Sequence, residues 1–160
     1  MLISTFSFCK TRSSWIMYKT QWQDSCYLVY GSNTSPYELF LHHEKPDLII
    51  GMWDYTGVDQ DSLRIESYCT NSFRNETVDG WDQIQYPLYV PIKAPLGFKK
   101  WTGMWNWFCN NTCYKLLKWV ESEKSDAKLL FIHIPKSYNW SEAVTAISHL
   151  MIWLQQWLTQ

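Results

Sequence analysis

Two short apolar runs constrain the fold of this chain more than any other feature: Leu48-Ile49-Ile50-Gly51-Met52 and Leu129-Leu130-Phe131-Ile132-His133-Ile134. Neither approaches the length of a membrane span. Lys45-Pro46-Asp47 stands ahead of the first and Pro135 closes the second. Runs of this kind read as strands buried on both faces, the setting of strands in a parallel sheet.

The segments around them alternate in type. Leu2 to Phe6, Cys26 to Tyr30 and Leu63 to Tyr68 read as further strands, the second closed by Gly31-Ser32-Asn33. Lys10 to Ser14 reads as a polar turn, and Trp15 to Trp22 as a short helix. Ser35-Pro36-Tyr37-Glu38 is a capping box with proline at the first helical position, and its helix should run to about His43. After Cys109, the positions Cys113, Leu116, Leu117 and Val120 fall at helical spacing. A last helix begins near Ser141 and places Val144, Ile147, Met151, Leu154 and Leu158 on one face. The stretch from Asp54 to Lys100 is the least regular, and the prolines at 87 and 91 make Tyr86 to Pro91 a loop or an edge. Strands alternating with helices imply a single α/β domain over residues 1–160, with three layers and a largely parallel central sheet flanked by helices.

Composition narrows the functional classes. With 14 basic and 15 acidic residues the formal charge is −1, which gives no electrostatic footprint for nucleic acid. The apolar content of 46% excludes a disordered chain. The five cysteines, Cys9, Cys26, Cys69, Cys109 and Cys113, are odd in number and irregularly spaced, which argues against a disulfide framework and a structural zinc site. No secretory signal opens the chain. These features predict a reduced, cytoplasmic protein with no membrane partner. Eleven Trp and ten Tyr exceed what one small core absorbs, which predicts a homo-oligomer with Trp153 and Trp157 as surface candidates. A carbohydrate-stacking module ranks last, because most Trp flank helices and loops.

The chemistry concentrates on two of the segments. Cys109 opens a helix, where the positive end of the helix dipole favours a thiolate. His133 ends a strand, at the rim where α/β sites lie. A Cys–His pair needs a third group to orient the imidazole. Asp47, Asp54, Asp59, Asp61 and Glu66 all lie upstream, and spacing does not choose among them.

Four blocks of the chain resemble pyroglutamyl peptidase I, the cysteine peptidases that remove an N-terminal pyroglutamate. Phe131-Ile132-His133-Ile134-Pro135 is similar to the family's block carrying the base. Phe108-Cys109-Asn110, followed by Tyr114 and Leu116-Leu117, is similar to its nucleophile block. Lys45-Pro46-Asp47-Leu48-Ile49-Ile50 looks like its Pro-Asp strand. Ile65-Glu66 with Asn71 looks like its Glu-Arg block ending in Asn. The resemblance implies a triad of Cys109, His133 and Glu66, with no metal or organic cofactor. Phe6 and Phe8 are similar to the aromatics that line the lactam pocket, with one residue fewer between them, and Phe108 joins them as a substrate-binding candidate. Arg74 is the nearest counterpart of an arginine that helps hold the oxyanion, at a different offset.

The pocket motifs depart from that pattern. Cys9-Lys10 replaces a Gly-Gly. Met104-Trp105-Asn106-Trp107 replaces a small-residue approach to the nucleophile. Trp53-Asp54-Tyr55-Thr56-Gly57 replaces a Gly-Gln-Ala-Gly-Gly loop, which aligns Asp54 with the Gln that contacts the lactam. The expectation is a Cys-His-Glu hydrolase acting on peptides with a blocked N-terminus, its pocket changed. The alternative is a non-catalytic descendant used for binding or assembly.

Overall fold

The computed structural model describes residues 2–8, 11–20, 26–29, 33–57, 60–74, 76–80, 85–91, 95–104 and 107–157. Cys9-Lys10, Trp22, Tyr30 to Ser32, Asp59, Trp105-Asn106 and Leu158 lie outside the described residues, as do the side chains of Cys26 and Trp157.

The described residues form strands β1 (Ile3–Phe8), β2 (Cys26–Val29), β3 (Leu48–Tyr55), β4 (Leu63–Glu66), β5 (Tyr68–Thr70), β6 (Gln85–Pro87), β7 (Phe98–Trp101) and β8 (Lys128–Pro135). The helices are α1 (Arg12–Lys19), α2 (Ser35–Glu44), α3 (Phe108–Ser122) and α4 (Trp140–Trp157). Six strands make one sheet in the order β2-β1-β3-β8-β4-β7, and β5 and β6 pair in a small antiparallel sheet of their own. The main sheet is parallel except at one seam, where β4 runs antiparallel to β8.

Side chains of β3 and β8 alternate between two apolar layers, as strands buried on both faces must. Ile49, Leu129 and Phe131 pack with α2 and α3 through Tyr37, Leu41, Cys113 and Leu116. Leu48, Ile50, Met52, Leu130, Ile132 and Ile134 pack with α1 and α4 through Ile16, Met17, Ile147 and Leu154. The result is a single α/β domain of three layers. Gly51 interrupts the apolar run of β3 for a steric reason: a Cβ there would lie 2.4 Å from the Phe6 ring and 2.5 Å from that of Phe131. No described helix is long and apolar enough to cross a membrane.

Several local boundaries differ from the sequence expectations. The predicted turn before Trp15 is instead the first turn of α1. Thr11 caps that helix by accepting from Ser14 N at 3.2 Å, so the polar residues 12–14 are helical. In α2 the cap is Thr34, one residue earlier than the predicted Ser35, and its hydroxyl donates to Glu38 at 2.6 Å. The predicted strand Leu63 to Tyr68 splits at Ser67, whose N–H and hydroxyl both donate to Trp101 O. β4 stays in the main sheet while β5 leaves it to pair with β6. β7 is the outermost described strand on that side, and its Lys99 and Lys100 are exposed.

Candidate active site

The strand alternation that builds the core also selects which polar groups meet. His133 follows Phe131 on the α3 face of β8, and β4 presents Arg64 and Glu66 to that face because Leu63 and Ile65 occupy the other. In register, Arg64 lies opposite His133 across the antiparallel seam. Cys109 sits in the first turn of α3, whose cap residue Trp107 makes no side-chain cap hydrogen bond. The first N–H groups of a helix have no intrahelical acceptor, so this end offers donors and a positive field beside the thiol. Cys109, His133, Glu66 and Arg64 line one cavity of about 420 Å³, walled by Trp53, Tyr55, Trp101, Met104, Trp107 and Phe108.

The geometry around His133 is specific. Its Nδ1 lies 2.7 Å from Glu66 Oε1, with both side chains nearly fully buried. The rings of Phe131 and Tyr55 stand 5.0 and 5.9 Å from the imidazole. Burial pulls the His133 pKa down. The charge of Cys109 and hydrogen bonds to Cys109 and Glu66 outweigh it and push the value up to about 9. The arrangement therefore favours an imidazolium with the Glu66 carboxylate on Nδ1. Burial pushes the Cys69 thiol up to about 12. Burial, with the nearby charges of Cys69, Cys109 and Glu66, also pushes the Cys113 thiol well above its ordinary value.

The other carboxylates that spacing left open are committed elsewhere. Asp47 accepts from Leu2 N at 2.7 Å near the start of β3. Asp61 is exposed and pairs with Lys99 at 3.1 Å. Asp54 lies at the cavity edge, but its Oδ1 accepts from Ser13 N at 2.9 Å in the first turn of α1. Strand alternation turns it toward the α1 layer, away from the His133 face. Asp59 lies outside the described residues.

The aromatic candidates separate. Phe108 lines the cavity. Phe6 and Phe8 do not: Phe6 is fully buried against Tyr37 and Phe131. Phe8 lies behind Trp53, ring centroids 3.7 Å apart. Trp53, opposite His133 in register, lines the cavity where Phe6 and Phe8 do not. Arg74 is exposed, at φ 51°, with its guanidinium 5.1 Å from the ring centroids of both Phe73 and Phe108. It braces the start of α3 from outside the cavity lining.

Two features of the site escaped sequence reasoning. Asn110 is fully buried and fastens α3 to β5. Its Oδ1 accepts from Thr70 N at 2.8 Å, and its Nδ2 donates to Thr70 O at 2.9 Å and Ser72 O at 2.6 Å. Arg64 and its aromatic clamp are the other. The signal for Arg64 was the strand period, since it shares the face of Glu66 two residues on.

No protein-family model matches the sequence, and no curated protein sequence matches it. Solved structures do resemble it. A variant pyrrolidone carboxyl peptidase from the hyperthermophile Pyrococcus furiosus aligns over 98% of this chain and 99% of its own, at TM-score 0.80 and 14% identity. The pyrrolidone carboxyl peptidase of Thermococcus litoralis aligns over 92% of this chain and 90% of its own, at TM-score 0.71 and 14% identity. The pyroglutamyl peptidase I of Bacillus amyloliquefaciens aligns over 91% of this chain and 92% of its own, at TM-score 0.73 and 13% identity. These proteins are the structural neighbours of the chain, which has the pyroglutamyl peptidase fold.

Proposed function

We propose that this protein is a cysteine-type hydrolase acting on the N-terminal residue of peptides, with Cys109 as nucleophile, His133 as acid and base, and Glu66 as the group that orients the imidazole. The observation that carries this reading is the buried 2.7 Å contact between His133 Nδ1 and Glu66 Oε1 in a cavity that also holds Cys109. The Cys109 thiolate attacks the scissile carbonyl carbon while the C=O electrons move to oxygen. N–H groups of the first turn of α3 hold that oxyanion. Collapse breaks the C–N bond, and the departing amine takes the proton from His133. Water then attacks the thioester carbonyl and gives a proton to His133, collapse breaks the C–S bond, and the acid product leaves behind the regenerated Cys109 thiolate and protonated His133.

The test combines labelling and turnover. Iodoacetamide mapping should find Cys109 the fastest-alkylating cysteine, and Cys109→Ala should abolish hydrolysis of aminoacyl-aminomethylcoumarin substrates. Cleavage of pyroglutamyl-aminomethylcoumarin itself should be weak, because Trp53, Trp101 and Trp107 crowd the cavity. Brisk cleavage would show that the indoles leave room for the lactam. The non-catalytic reading draws on the same crowding and on the 8% exposure of Cys109. An inert Cys109 in the folded protein would establish it over the hydrolase.

A further inference from the structure

The cavity beside Cys109 is richer in rings than the hydrolytic steps require. Trp53, Tyr55, Trp101, Trp107 and Phe108 wall it together with Met104. They come from the end of β3, the end of β7 with the connection after it, and the start of α3. Trp107 is 52% exposed, and Trp53 and Trp101 are half-buried. Aromatic surface left open at a cavity is stabilised when an apolar ligand covers it. The charged groups among these rings are engaged within the protein. The Arg64 guanidinium carbon lies 3.7 Å from the Tyr55 ring centroid and 3.8 Å from that of Trp101. Glu66 gives Oε1 to His133, and its Oε2 is closed off from the surface. Asp54 Oδ1 accepts from Ser13 N. The lining offered to a ligand is therefore mostly apolar. A lactam brings an N–H and a C=O into such a site, and each is costly to bury without a partner. A phenyl side chain brings neither, and it packs on other rings edge to face or offset. The volume of about 420 Å³ is in the range that small ligands fill.

We infer that this ring-lined cavity takes the side chain of the substrate's N-terminal residue and selects an aromatic one over a small or polar one. This deepens the hydrolase reading by naming the acyl group it accepts, and rests on that reading only for turnover.

Two measurements on the full chain test it. The first does not depend on the thiol. Ligand-observed NMR titration compares three neutral amides: hydrocinnamamide, propionamide and pyrrolidinone. Hydrocinnamamide should bind roughly tenfold to a hundredfold tighter than propionamide, the effect of burying one phenyl group. Pyrrolidinone should bind no better than propionamide. Equal affinities for the three, or no binding of hydrocinnamamide, overturn the inference. Trp107→Ser removes a wall ring that is half-exposed and puts an ordinary capping residue at the start of α3, so the helix should survive it. It should weaken hydrocinnamamide binding several-fold, and Trp107→Phe should keep most of the affinity. Full affinity in Trp107→Ser with native circular dichroism places the ligand outside this cavity and overturns the inference. The second measurement is turnover. Phenylalanyl-aminomethylcoumarin should exceed alanyl- and glutamyl-aminomethylcoumarin about tenfold or more in kcat/KM. Turnover of all three at similar rates overturns the inference and leaves the hydrolase reading standing. Tight hydrocinnamamide binding with no turnover of any substrate removes the hydrolase reading and leaves the aromatic site.

Discussion

His133 carries its charge because of its neighbours, so its titration reports on the whole site. Its pKa lies near 9 against an ordinary 6.5, raised by Cys109 and Glu66 against the pull of burial. Cys109→Ala removes the largest raising influence. The His133 pKa, read by NMR from the ring protons, should then fall by about one unit or more. A value that stays near 9 would mean that Glu66 alone supports the charge. The raised pKa also links folding to pH. Protonation of His133 stabilises the fold fully below the unfolded pKa near 6.5, and this contribution is lost as pH rises through about 9. The proposed hydrolysis should decline over the same alkaline limb, because the imidazolium assigned to protonate the leaving amine disappears. Glu66→Ala leaves a buried imidazolium without its carboxylate. It should cost about 3–5 kcal/mol in urea denaturation, the usual effect of breaking a buried pair, with Glu66→Gln costing less.

Among the elements, α3 matters most because its first turn carries Cys109, the proposed nucleophile. Asn110 ties that turn to β5 through three short hydrogen bonds. Asn110→Ala leaves part-buried backbone groups of residues 70 and 72 without their partner and should destabilise the protein by about 1–3 kcal/mol. It should also slow Cys109 alkylation relative to denatured protein, which simple loss of stability above the melting threshold would not. The helices and the central strands were legible from the sequence because their signals are local. Helical spacing after Cys109 marked α3, and continuous apolar runs marked β3 and β8. The break at Ser67 was not legible, because it depends on hydrogen bonds to Trp101, thirty-four positions away. The same limit explains the site. Cys109, His133 and Glu66 were nameable from the blocks in which they stand, and Asp54 was read as facing the substrate. Only strand register shows that Asp54 turns to α1 and that Trp53, rather than Phe6 or Phe8, lines the cavity. Arg64 was silent because a charged residue alternating with Leu63 and Ile65 reads as the solvated face of an ordinary strand.

At the scale of the molecule, the aromatic surplus is distributed differently from the sequence expectation. Trp153 packs partly against the α1–α4 core rather than standing bare. The large exposed apolar groups include Trp15 at 61% and Tyr18 at 58%, both on α1, their rings 6.4 Å apart. Sedimentation velocity at micromolar concentration should show self-association, and Trp15→Ser with Tyr18→Ser should reduce it. A monomer under those conditions would leave the aromatic surplus to the core and the cavity. One consequence lies at β7, the outermost strand on its side of the sheet among the described residues. An outermost strand offers unpaired backbone groups to any extended chain, the template from which fibrils grow. β7 meets that hazard with exposed Lys100 and with Lys99, which pairs with Asp61; a second copy laid alongside would have to strip water from these charged groups. Lys99→Val with Lys100→Val should leave the cavity in place while turning this margin adhesive. Thioflavin T emission rising on storage, with the parent protein staying clear, would read out the loss of that protection.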